Sequence, residues 1–184
     1  MSTLKPFSKI PELNSANVLL VENEEQFQKK LADVIVNAEK DVSVGVRLAR
    51  RLPLPVENEE TRPCIDLVVF IINLSFERSF QSVELSLKYV DPGFFLGKVC
   101  FLVTGARCWS VSSDRLQSVR KLATSLRCPL LYAEDQTVEG VNTAAARLLR
   151  VLKVTAGLTP WATGLSLSTL TRCTLSSDLE GDFD

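Results

Sequence analysis

The run LVVFII, Leu67 to Ile72, has an apolar side chain at every position. Successive side chains of a strand point to opposite faces, so a strand of this kind has to be covered on both. That requirement points to an α/β layer with helices above and below the sheet. The full central strand is expected from Ile65 to Leu74, and similar stretches recur at Val18 to Val21, Val99 to Val103 and Leu130 to Tyr132. The segment DVSVGVRL differs, because Val42, Val44, Val46 and Leu48 alternate with other residues. An alternating strand is half exposed, which places it at an edge of the sheet.

Between the strands the apolar residues recur at helical spacing. Phe27 opens a helix that continues through Leu31 and Val34 or Ile35. A second carries Phe76, Phe80, Val83, Leu87 and Val90. A third carries Leu116, Val119, Leu122 and Leu126, with Ser113 or Asp114 as N-cap and Pro129 as the residue that ends it. The last runs from Val138 to Val154, with Val141, Ala145, Leu148 and Leu152 along one face and Gly157 and Pro160 as stop signals. The order βα, β, βα, βα, βα predicts parallel strands joined by right-handed crossovers. The proline- and glutamate-rich stretch PLPVENEETRP, residues 53 to 63, is expected to be a surface loop. The chain of 184 residues accommodates one domain, read here as 1–157, followed by a tail, 158–184, that is apolar and then acidic.

Composition removes several kinds of chemistry. The chain has no histidine, hence neither the commonest general base nor the commonest metal ligand. Its five cysteines are odd in number and form no CxxC pair, so neither a disulfide framework nor a zinc site is indicated. A net charge of -1 does not favour direct nucleic-acid binding. No apolar run approaches the about 20 residues of a membrane span, and the N-terminus MSTLKPFSKIPEL lacks a signal-peptide core. The expectation is a soluble intracellular protein with no cofactor, no metal and no membrane partner.

In an α/β protein the turn after the first strand is where a nucleotide phosphate is held. A phosphate loop of the form GxxxxGKS or GxxxxGKT uses glycines to converge backbone amides, a lysine for charge and a hydroxyl for magnesium. The corresponding window here is Glu22, Asn23, Glu24, Glu25, Gln26, Phe27, Gln28, Lys29. Both glycines are gone, Gln28 replaces the lysine and Lys29 replaces the hydroxyl. Glu22, Glu24 and Glu25 would meet a phosphate with like charge. No DxxG segment precedes the central strand, and where NKxD would read guanine the chain has Thr104, Gly105, Ala106 and Arg107. A receiver-type phosphoacceptor fits no better, since its strand-end position falls on Ile71 and the later strand ends Tyr-Ala-Glu in place of Lys-Pro. Glu22 and Glu24 are read as a solvated helix start that suits the positive end of the dipole. A nucleotide-binding small-GTPase-like switch and a receiver-like signalling domain remain the competing readings.

Other candidates are weaker. Cys64 and Cys100 are expected to be buried and inert, Cys108 beside Arg107 has no base to activate it, and Arg50 with Arg51 is expected to be a solvated pair. In DPGFFLGK, residues 91 to 98, Phe94, Phe95 and Leu96 either fold back onto the core or form an apolar knob for a partner. Leu158, Trp161, Leu165, Leu167 and Leu170 of the tail either cover an open face of the domain or engage another chain.

Several stretches together carry a resemblance. They are LKP (4 to 6), LPLP (52 to 55), RPCIDLVVFIINL (62 to 74), FFLGKVCFLVTGA (94 to 106), PLLYAED (129 to 135) with VEG (138 to 140), and RLLRVLKVTAG (147 to 157). In order and spacing the chain resembles the vertebrate centromere protein M family over most of its length. The resemblance implies a small Ras-like GTPase-type, P-loop-like fold, a mostly parallel sheet flanked by helices, with degenerate nucleotide motifs and no GTP binding or hydrolysis. It also implies a nuclear, centromeric protein of the constitutive inner kinetochore, monomeric within a complex with centromere proteins I, H and K, of which I is the direct neighbour. Under that reading Phe94, Phe95, Leu96 and the tail leucines are the partner contacts.

Overall fold

The computed structural model describes residues 4, 14–38, 41–55, 64–106 and 113–159. Five strands, β1 (Ser15–Val21), β2 (Ser43–Ala49), β3 (Leu67–Asn73), β4 (Val99–Thr104) and β5 (Leu130–Tyr132), form one sheet in the order β2-β1-β3-β4-β5. Every pairing is parallel. The helices are α1 (Phe27–Ala38), α2 (Glu77–Leu87), α3 (Ser113–Ser125) and α4 (Val138–Thr155), and a 3-10 turn covers Pro92–Phe95.

The mixed α/β architecture with helices on both faces is the one expected from the apolar strands. Alternate residues of β3 feed two separate cores. Leu67, Val69 and Ile71 pack under α1 and α4 with Leu31, Ile35, Ala145 and Leu148. Val68, Phe70 and Ile72 pack on the other face with Val83 of α2, Val119 of α3 and Phe94. Phe70 and Phe101 stack within this second core, their ring centroids 6.0 Å apart. The alternating strand β2 lies at the edge, as its pattern predicted.

The order 2-1-3-4-5 is that of flavodoxin-like doubly wound sheets. The connection from β1 leads outward to β2, whereas that from β3 leads the other way to β4. Crossovers of one hand running in opposite directions place their helices on opposite faces, so the topological switch point, where sheets of this kind bind ligands, falls at the carboxyl ends of β1 and β3.

Local signals explain most helix ends, with three corrections. In α4 the Thr137 side chain accepts from the Gly140 N–H at 3.0 Å. At its far end Gly157, with φ of 72°, donates to the Val154 carbonyl at 3.1 Å and Leu158 donates to Lys153 at 2.9 Å, the pairing of a Schellman stop. Helix α3 does not run to Pro129. It closes at Ser125 by the same pairing, from Arg127 to Thr124 and from Cys128 to Ala123, with Arg127 in the left-handed region. Ser113 and Asp114 are both inside its first turn, so neither is the N-cap. Phe76 and Val90 fall outside α2, and Phe76 stays 48% exposed because it precedes the first helical turn.

Candidate functional site

The switch point at the carboxyl ends of β1 and β3 is flanked by the turn from Glu22 to Gln26, which joins β1 to α1. Glu22 is 1% exposed, which corrects its reading as part of a solvated helix start. Its Oε1 accepts from the Phe27 N–H at 3.2 Å and its Oε2 from the Gln28 N–H at 2.8 Å. Its own N–H donates to the Ala49 carbonyl at 3.0 Å, which ties the turn to the end of β2. The amides at the start of α1 are the groups that a phosphate would use. Here a carboxylate from the same chain already holds them. Burial pushes the Glu22 carboxyl up from its ordinary value; the two amide bonds oppose this, and Glu24 and Asp135 add to it through like charge.

Gln28 completes the closure. It is 1% exposed, and with its amide nitrogen turned inward it donates to the carbonyls of Leu20 and Ala49, both at 3.2 Å. The residue at the position of the phosphate-binding lysine therefore staples β1 to β2. Lys29, at the position of the magnesium hydroxyl, is exposed. Glu24 accepts from the Ser79 hydroxyl at 3.2 Å, and that hydroxyl also accepts from the Asn73 N–H at 3.0 Å. Glu25, at φ of 57°, meets Arg50 through Nε–Oε1 at 2.6 Å and Nη2–Oε2 at 2.8 Å, and the guanidinium lowers its pKa. Arg50 and Arg51 are both exposed, as expected of a solvated pair, and Arg50 adds a surface ion pair to the turn.

The two templates would also place ligand contacts at Thr104 to Arg107 and at Ile71. Thr104, at the end of β4, is fully buried with no hydrogen-bond partner for its hydroxyl among the described residues, and Gly105 follows at φ of 73° beside Ser75 and Asn73. Arg107 and Cys108 lie outside the described residues. Ile71 is fully buried, and β3 extends past it to Asn73, which has no carboxylate to phosphorylate. Burial raises the thiols of Cys64, Cys100 and Cys128, that of Cys128 to about 12, so these three are inert at neutral pH.

The structure divides the FFL segment. Phe94 is 0% exposed and sits in the core beneath α2 and α3, so it is a packing residue and not part of a knob. Phe95 is half-buried against the same core. Leu96, 86% exposed, is the apolar side chain that points away. The 3-10 turn makes the division: Asp91 caps it by accepting from the Gly93 N–H at 2.8 Å, and Gly97 then reverses the chain at φ of 95°. Leu158 is half-buried against the core under α4. Trp161, Leu165, Leu167 and Leu170 lie outside the described residues. Periodicity also failed to mark Leu85, which is 60% exposed on α2.

The family model described as Centromere protein M (CENP-M) matches residues 1–174. The chain is 61% identical over 184 residues to centromere protein M of Danio rerio, covering 100% of this chain and 99% of that one. It is 45% identical over 181 residues to centromere protein M of Homo sapiens, covering 98% and 99%. With centromere protein M of Xenopus laevis the identity is 40% over 178 residues, covering 97% and 99%.

Proposed function

The chain belongs to the centromere protein M family, and on that premise we propose that it is a non-catalytic structural subunit of the inner kinetochore. In this reading it is a pseudo-GTPase: a five-stranded parallel core whose nucleotide site has been converted into a structural joint. The observation that supports this most directly is the Glu22 carboxylate bonded to the Phe27 and Gln28 amides. An incoming phosphate would have to displace a tethered anion and approach Glu24 as well. Gln28, at the position of the phosphate-binding lysine, supplies no charge and is turned inward to backbone carbonyls. Titration of labelled GTP and GDP with magnesium is expected to give no saturable binding. Micromolar affinity for either would overturn the pseudo-enzyme reading.

The role assigned in its place is to stabilise a complex with centromere proteins I, H and K in the nucleus, with protein I as the direct neighbour and this chain present as a monomer. Leu96 is the first anchor, because a large exposed side chain held on a capped turn loses little freedom on binding. The tail leucines are the second candidate contact. Leu96→Asp is expected to weaken the complex by about 2 kcal/mol, on the order of 30-fold in affinity. Size-exclusion chromatography with recombinant proteins I, H and K tests it. Wild type should co-elute stoichiometrically and the variant should not, with unchanged circular dichroism; a folded variant that co-elutes normally would remove Leu96 from the interface.

A further inference from the structure

Helices α1 and α4 lie side by side on one face of the sheet and leave between them a groove of about 710 Å³. Val34, Ala145, Ala146 and Leu149 give it apolar walls, with Asp33, Asn37, Asn142, Arg150 and Lys153 along its polar rim. Leu158 donates its N–H to the Lys153 carbonyl and packs onto the core beneath these two helices. The chain therefore leaves the described structure, at Thr159, beside the Lys153 end of the groove.

The sequence beyond Thr159 suits that groove. Trp161, Leu165, Leu167 and Leu170 come next, and Asp178, Glu180, Asp182 and Asp184 end the chain. From Lys153 back to Asn142 the α4 wall spans roughly 16 Å at the helical rise. The ten residues Trp161 to Leu170 cover about 15 Å if helical and about 33 Å if extended, so reach is sufficient in either form. Tethering at Leu158 also gives the segment a high effective concentration at the groove, which no separate chain has without a linkage.

We propose that in the isolated protein the segment Trp161 to Leu170 folds back into the α1–α4 groove, running from its Lys153 end towards Asn142. The tail is then an intramolecular cover for an apolar face. This does not rest on the partner reading, because the groove seats these side chains whether or not another chain later takes them.

Trp161 reports on the seat directly. In the full-length chain carrying Trp109→Phe, Trp161 is the one remaining indole, and its emission should be blue-shifted and resistant to acrylamide. Ala146→Glu, at an exposed groove position, should shift the emission to the red and raise the quenching constant several-fold, with no change in melting temperature. Leu167→Asp should do the same from the tail side. Emission of a solvated indole in the parent chain, or emission indifferent to both substitutions, would overturn the proposal. A blue shift that appears only as protein concentration rises would place a second copy's tail in the groove and overturn the intramolecular seat as well.

Discussion

The Phe94→Ala variant should unfold on the order of 10 °C below the parent chain, since removing a fully buried phenyl ring costs about 3 to 5 kcal/mol. The ring is 0% exposed and packs with Val68, Phe70, Val83 and Phe101. Its loss removes the transfer energy of the ring and leaves a cavity among strands that cannot collapse into it. Two residues along, Leu96→Ala should leave the melting temperature unchanged to within about 0.5 kcal/mol, as for most exposed positions. Thermal melts of both variants, followed by circular dichroism, test the division made by the 3-10 turn. Equal melting temperatures would mean that Phe94 is not a core residue.

Glu22→Ala should cost about 2 to 3 kcal/mol. The substitution leaves the Phe27 and Gln28 amides without an acceptor at a buried helix start, at about 1 to 3 kcal/mol for each group, less the relief from removing a buried carboxylate. Glu22→Gln keeps an acceptor and should cost less. The two variants separate hydrogen bonding from charge, and urea unfolding with an unchanged slope would quantify both.

The pH dependence supplies an independent check. Burial raises the folded-state pKa of Glu22 above its ordinary 4.5, so the folded protein binds this proton more tightly than the unfolded chain does. The resulting stability is fully present below the unfolded value and is lost as pH rises through the raised one. Wild type measured against Glu22→Gln should therefore be relatively more stable at pH 4.5 than at pH 7. A difference moving the other way would show that the two amide bonds outweigh burial and depress the pKa.

Most of the framework was legible because its signals are local. The apolar runs of β3 and β4 announce strands covered on both faces, and the 3.6-residue spacing of Val141, Ala145, Leu148 and Leu152 announces α4. The Gly157 stop works through the left-handed backbone that glycine favours, so its letter was sufficient. Arg127 performs the same stop in α3 with a residue that carries no such preference, and the sequence pointed instead to Pro129. Phe76 matched the helical period but lies just before the helix begins, since periodicity identifies a face more reliably than it identifies a boundary.

The candidate site was legible as a missing phosphate-loop pattern and not as what stands in its place. Missing glycines, lysine and hydroxyl can be read from single letters, and they argued against a phosphate loop without a structure. The charge on Glu22 suggested solvent, because glutamate is rarely buried without partners. Its partners are the Phe27 and Gln28 amides, available only once α1 has formed, and the carboxylate becomes buried as β2 closes beside the turn through Ala49. Likewise Phe94 and Leu96 have equal claims as apolar letters, and the turn capped by Asp91 decides which faces inward.

By itself the sequence determined most of the secondary elements, the two-faced parallel sheet and the lack of a glycine-and-lysine phosphate-loop pattern, since each depends on residue type or short-range spacing. The tertiary structure alone decided that a carboxylate fills the anion position, that Leu96 is the exposed residue of its segment and that α1 and α4 share a groove. These arrangements depend on strand order and on contacts between segments far apart in the chain, and neither is encoded in local periodicity.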